Sequence, residues 1–152
     1  MMSVVGRNSF GSSPDNPLHD ARGAVLVIDD SDSARATMVS LLTEAGYAVF
    51  ELASAIGATR TILRNKVRAV IVDISMPGLS GDKLVGVLRK NASLQQLVVI
   101  VVSTDETLLK RASGDPLVDA VLSKSHVPIR LVGLVQRLLA AVRKESVSED
   151  MG

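Results

Sequence analysis

Five short apolar runs punctuate this chain: AVLVID at 24–29, YAVFEL at 47–52, AVIVDI at 69–74, LVVIVVS at 97–103 and DAVLS at 119–123. Several hold four or more consecutive apolar residues before a polar one, which suits strands covered on both faces, as in a parallel sheet. Between the runs, apolar residues return at helical spacing. Alternation of this kind predicts an α/β chain built from βαβ units, a five-stranded parallel sheet with helices on both faces.

The helical stretches differ in strength. The first sets Ala34, Met38, Leu41, Leu42 and Ala45 on one face, with Asp32 or Ser33 as N-cap and Gly46 just past its end. Weaker patterns cover 55–63 and 82–90, and a short one at 105–112 is cut off by Ser113-Gly114-Asp115-Pro116. The last begins with Pro128 at its first position and turns Ile129, Leu131, Val132, Val135, Leu138, Leu139 and Val142 inward. Met76-Pro77-Gly78 breaks regular structure after the third run. Residues 1–23, rich in Gly, Ser, Asn and Pro, read as a flexible N-terminal arm; 24–143 form the domain and 144–152 a polar tail.

Composition narrows the function. A chain of 152 residues, 47% of them hydrophobic, suits one domain with a sizeable core. Three aromatic residues, Phe10, Tyr47 and Phe50, leave no platform for stacking bases, and 17 basic against 16 acidic residues make no footprint for gripping phosphate backbones. Nucleic acid is therefore not an expected partner. With no cysteine, disulfides, thiolate metal sites and cysteine nucleophiles are excluded. Neither a secretion signal nor an uninterrupted run of 18 apolar residues is present, so the expectation is a cytoplasmic protein without a membrane partner.

Parallel strands joined by right-handed crossovers gather their C-terminal ends on one edge of the sheet, where such folds bind ligands. The runs end in Asp29-Asp30, Asp73, Ser103 and Lys124. Clustered carboxylates repel one another and call for a proton or a cation, and magnesium is the natural hard cation for oxygen ligands. A carboxylate beside such a cation is able to attack phosphorus, while a hydroxyl and an ammonium steady the transferred oxygens. Taken singly, Asp29 and Asp30 could be helix-capping acids, Asp73 a turn cap and Lys124 a surface lysine. His19 and His126 have no ligand companions and read as solvated.

From Val25 to about Val142 the chain resembles the receiver domain of bacterial two-component response regulators. The likeness rests on Asp29-Asp30, Asp73 followed by Met76-Pro77-Gly78, Ser103 and Lys124, in that order on successive strand ends. It implies a flavodoxin-like sheet with strand order 2-1-3-4-5. It also implies Asp73 as phosphoacceptor, Mg2+ held by Asp30, Asp73 and the Ser75 carbonyl with Asp29 acting through bound water, and Ser103 and Lys124 engaging the phosphoryl group. The donor would be a histidine kinase or a histidine phosphotransfer protein. The expected function is a stand-alone, non-turnover receiver that signals through a downstream protein target.

The chain departs from that pattern in places. Val121 stands where receivers usually carry a ring, Ser125 follows the lysine in place of proline, and Thr104 is bulkier than the usual small residue. Val121, Ser125 and the short fourth helix with its Gly114-Asp115-Pro116 break suggest one alternative, a receiver-like interaction module that works without phosphorylation, against which the retention of all five site residues argues. A flavodoxin-like nucleotide or flavin enzyme is disfavoured, because Asp29-Asp30-Ser31-Asp32 would repel a phosphate. A phosphatase with two aspartates two residues apart is disfavoured by Ser75.

Overall fold

The structure, a computed structural model, describes residues 3–5, 22–76 and 81–151, and the side chains of 22–76 and 83–142. Strand β1 is Ser3–Val5 and β2 is Ala24–Ile28, followed by α1, Asp32–Glu44. Then come β3, Ala48–Leu52; α2, Ala58–Asn65; β4, Val67–Asp73; and α3, Gly81–Lys90. Strand β5 spans Val98–Ser103, α4 Glu106–Ser113, β6 Ala120–Ser123 and α5 Val127–Met151. The sheet order is β1-β3-β2-β4-β5-β6. Strands β2 to β6 are mutually parallel and follow the expected order 2-1-3-4-5 when counted by themselves.

Alternation along the strands builds two cores. Leu26 and Ile28 of β2, with Val70 and Val72 of β4, face Ile62, Leu84, Leu88 and Leu109 from α2, α3 and α4. Val25 and Val27, with Ala69 and Ile71, face Met38 and Leu42 of α1 and Leu131 and Val135 of α5. Both faces are covered, so the strands carry no polar alternation. Each fully buried Leu or Ile contributes about 1.5–3 kcal/mol, so an acid at Ile71 would break the sheet's centre.

Several expectations need correction. The N-terminal arm is not wholly without structure: Ser3–Val5 adds a sixth strand, antiparallel to β3, with Val4 opposite Phe50. Residues 1–2 and 6–21 of the arm, with Phe10 and His19, and the Pro77-Gly78 break lie outside the described residues. Ser31 caps α1, its hydroxyl accepting from the Ala34 N–H at 3.3 Å, in place of Asp32 or Ser33. Gly46 does stop α1, at φ +100°, where a Cβ would lie 2.9 Å from Arg22 Cδ.

Helix α5 starts at Val127, which puts Pro128 second, and it continues through the polar C-terminal residues to Met151. Past Val142 the sequence RKESVSEDM contains no Gly or Pro to end it. The predicted inward face of α5 is in error at Ile129 alone, since Val132, Leu138 and Val142 pack partly buried against the core. Leu131, Val135 and Leu139 are buried, joined by Val127 one turn earlier, whereas Ile129, half a turn away from Leu131, is 86% exposed. The stretch Lys124–Val142 is long and apolar enough to cross a membrane, yet Leu131 and Val135 are fully buried against the sheet.

Candidate functional site

The register of the sheet sets the site. Ile28 lies beside Val72, Asp73 beside Val102, and Ser103 beside Ser123, so the residues at or just past these ends share one edge. Asp29 follows β2, Asp73 closes β4, Ser103 closes β5, and Lys124 follows β6. Asp29, Asp73 and Ser103 are buried and Asp30 is exposed. An ionised carboxylate in such a place is costly unless it is paired.

Lys124 supplies the pairing. Its Nζ lies 2.8 Å from Asp29 Oδ2 and donates to Asp73 Oδ2 at 3.0 Å. The substitution of Ser125 for proline has not turned the lysine away; Lys124 opens a short 3-10 turn, Lys124–His126, that runs into α5, and no cis peptide occurs among the described residues. Asp29 Oδ1 accepts from the Ser31 N–H at 2.9 Å. Its Oδ2 is buried and, the Lys124 ion pair apart, has no hydrogen-bond partner.

The two buried acids titrate in opposite directions. Burial pushes the Asp29 carboxyl up, and the nearby Lys124 ammonium and Ser31 N–H offset this only in part. Burial also acts on Asp73, but there the Ser75 hydroxyl and N–H, with Lys124, outweigh it and hold the carboxyl below its ordinary value. For Lys124, burial works against the charge, and the two carboxylates overcome it, raising the ammonium above its ordinary value.

Ser75 is closer to the chemistry than its expected carbonyl role alone implies. Both its N–H, at 2.8 Å, and its hydroxyl, at 2.6 Å, donate to Asp73 Oδ1. Ser103 Oγ accepts from the Asp105 N–H at 2.9 Å, which ties it to the start of α4, where Asp105 caps Thr107 and Leu108. Thr104 is exposed at the rim, and Val121 is half-buried on β6.

Arg35 escaped the sequence reading. From the first turn of α1 it donates to the Asp29 backbone carbonyl at 2.7 Å, to Glu51 on β3 at 2.9 Å and to Asp32 at 2.7 Å. It thereby fixes the backbone that carries the acid pair. Its position six residues past Asp29, with an acid on the neighbouring strand, was the available signal.

Carboxylate oxygens of Asp29, Asp30 and Asp73 lie within 4.8 Å of one another. With one buried oxygen, Asp29 Oδ2, held by the Lys124 ion pair alone, this donor set fits a hard divalent cation. A cavity of about 250 Å³ opens beside Lys124, lined by Ala34, Thr37, Met38, Val127 and Pro128.

Known proteins are similar to this chain. The sequence model of the response regulator receiver domain matches residues 25–136. Protein PilG of Pseudomonas aeruginosa is 29% identical over 113 residues, covering 74% of this chain and 84% of PilG. The response regulator MprA of Mycobacterium sp. (strain KMS) is 29% identical over 126 residues, covering 82% of this chain; the chain spans about half, 53%, of MprA. The structure of the response regulator TrrA from Thermotoga maritima in complex with Mg(2+)-BeF superposes with a TM-score of 0.67 at 26% identity, covering 76% of this chain and 97% of TrrA. By the match over residues 25–136, with its strand order and acid pair in place, this chain belongs to the response regulator receiver domain family.

Proposed function

We propose that this receiver domain takes a phosphoryl group on Asp73 from a histidine kinase or histidine phosphotransfer protein, with Mg2+, and signals by changing which protein it binds. The observation that carries this reading is the state of Asp73: buried, held ionised by Ser75 and Lys124, and fixed in orientation through both of its oxygens. A carboxylate with that geometry is a prepared nucleophile. Its oxygen would bond to phosphorus as the bond from phosphorus to the donor imidazole breaks, the imidazole nitrogen keeping the electron pair.

Asp29, Asp30, Asp73 and the Ser75 carbonyl are the groups to hold magnesium, a reading supported by the clustered oxygens and by the Mg(2+)-BeF complex of TrrA. Bound there, the metal would neutralise the acids and the incoming phosphoryl oxygens. Lys124 would turn from the carboxylates to a phosphoryl oxygen, and the Ser103 hydroxyl would engage the same group; the Lys124 contact with Asp73 and the neighbouring ends of β4 and β5 support these roles. The cavity beside Lys124 gives a donor protein an opening between α1 and α5. We place the protein in the cytoplasm, acting as a receiver rather than a turnover enzyme.

Incubation with magnesium and a small phosphodonor such as acetyl phosphate, followed by intact-mass measurement, tests this. One added phosphoryl group that Asp73→Asn abolishes is the expected result. An unchanged wild-type mass with several donors, or labelling that persists in Asp73→Asn, overturns it.

A further inference from the structure

Charge is unevenly placed along this chain. From Leu52 to Val72 the sequence holds Arg60, Arg64, Lys66 and Arg68 and no acid. Arg60, Arg64 and Lys66 are exposed on α2 and its C-cap, and Arg68 is half-buried near the start of β4. None of the four has an ion-pair partner among the described residues, because the flanking acids Glu51 and Asp73 are taken by Arg35 at 2.9 Å and Lys124 at 3.0 Å. Helix α2 adds to the field: its N-cap is Gly57 and its first turn carries no acid to offset the positive end of its dipole.

Apolar surface lies among these cations. Leu63 is 46% exposed, and Ile56, just before the helix, is 81% exposed. Thr59, Arg60, Leu63 and Arg64 line an open hollow of about 700 Å³. An occupant complementary to this face is acidic, with apolar residues set among its acids.

The chain itself carries such a segment. Among the described side chains Val142 is the last of α5 to pack against the core, yet the helix runs on to Met151, about 13 Å further. The stretch 145–151, ESVSEDM, holds three acids and no cation, with Val147 and Met151 one helical turn apart. Glu145 and Glu149 repeat the four-residue spacing of Arg60 and Arg64.

We propose that the acidic end of α5 in one copy, residues 145–151, docks on the exposed face of α2 in a second copy, setting Glu145 and Glu149 against Arg60 and Arg64 and covering Leu63 and Ile56. The contact joins two different patches, so it closes into a symmetric pair when two copies exchange ends and grows into chains when they do not. Two apolar side chains give little area for insertion into a lipid surface, which makes an anionic membrane the poorer occupant. Arg68 and Val142 line one cavity of about 300 Å³ at the starts of β4 and β5, so the contact belongs to the opposite edge of the sheet from Asp73 and does not rest on its phosphorylation.

Sedimentation velocity of the full, unphosphorylated chain over a wide concentration range tests this. Wild type should self-associate, less so as salt is added. The R60E/R64E and E145K/E149K variants should each associate about tenfold more weakly or worse, and Leu63→Glu should weaken association in the same sense. An equimolar mixture of R60E/R64E with E145K/E149K should regain it, since each copy then offers the charge that the other needs, and recovery on mixing also shows that both variants fold. A chain monomeric at every concentration, association unchanged in R60E/R64E, E145K/E149K or Leu63→Glu, or no recovery on mixing each overturns the proposal. Recovery only when all four changes share one chain overturns it as well, by placing the contact within a single copy. So does a monomeric wild type that binds phosphatidylglycerol vesicles through Arg60 and Arg64, because it assigns the face to lipid. Phosphorylation enters none of these readouts, so a failure of Asp73 labelling and a failure of this contact are separate results.

Discussion

Ser75 donates twice to the same oxygen of Asp73, through its N–H at 2.8 Å and its hydroxyl at 2.6 Å. These bonds and Lys124 outweigh burial and keep the Asp73 carboxyl depressed. A depressed acid contributes stability above its unfolded value, and that contribution is lost as pH falls through the folded value. Ser75→Ala should therefore raise the Asp73 carboxyl and lower metal-free stability at neutral pH by about 1 kcal/mol. Urea unfolding at several pH values checks the sign: the deficit should shrink as the medium becomes strongly acidic. A deficit independent of pH would point to lost packing instead.

Asp29 behaves in the opposite sense. Burial raises its carboxyl, so stability is withdrawn as pH climbs from the unfolded value near 3.8 toward the folded one. Asp29→Asn removes that penalty, and in chelator at neutral pH its melting temperature should rise by about 3 °C. Magnesium should stabilise the wild type by mass action and the variant less. Asp30→Ala deletes an exposed carboxylate, so it should leave the chelator value almost unchanged while losing more of the magnesium gain than Asp29→Ala does. An Asp29→Asn protein less stable than wild type in chelator, or full magnesium gain in Asp30→Ala, contradicts these roles.

The sheet was legible because Leu26, Ile71 and Ile100 sit in uninterrupted stretches of four or more apolar residues, a pattern that double coverage explains. The site was legible because strand ends in such a sheet must converge, which brought Asp29, Asp73, Ser103 and Lys124 together from chain order. What stayed hidden depends on side-chain direction. Ser31, Asp32 and Ser33 are all competent caps, and only the backbone turn at Ser31, φ −82° and ψ 114°, selects one. Ile129 and Leu131 are equally apolar, and the helix phase decides which is buried. Lys124 could be placed at the site but not between two particular oxygens, and Arg35 is an ordinary surface type until its guanidinium meets a backbone carbonyl. Three residues at Ser3–Val5 are too few for a period to register.

Arg35 offers a test of how rigidly the acid pair must be held. Its guanidinium binds the Asp29 carbonyl, Glu51 and Asp32 through separate nitrogens, a fork that an ammonium cannot reproduce. Both Arg35→Ala and Arg35→Lys should weaken magnesium binding several-fold by titration calorimetry, with Arg35→Lys recovering little. Because Arg35 touches no carboxylate of the acid pair, its loss should leave the pH dependence assigned to Asp73 in place. Recovery of full affinity in Arg35→Lys would reduce its role to charge.

The last prediction concerns how the site reports its state. Ser103 Oγ accepts from the Asp105 N–H, and Asp105 in turn caps α4 through Thr107 and Leu108. For the Ser103 hydroxyl to reach a phosphoryl group on Asp73, its bond to Asp105 has to be released or rebuilt. Val121 is too small and too stiff about χ1 to carry the message as a rotating ring would. The change must then travel through backbone, and α4 is eight residues long with Gly114 at its end, short enough to readjust as a unit. A phosphoryl mimic such as beryllofluoride with magnesium should alter hydrogen exchange most at Thr104 to Arg111, with the Asp105 amide among the strongest responders and with smaller effects in β6 and α5. Ser103→Ala, lacking the acceptor, should show fast exchange at Asp105 with or without the mimic. Changes confined to Pro128 to Val142, with none at Thr104 to Arg111, would reject this route.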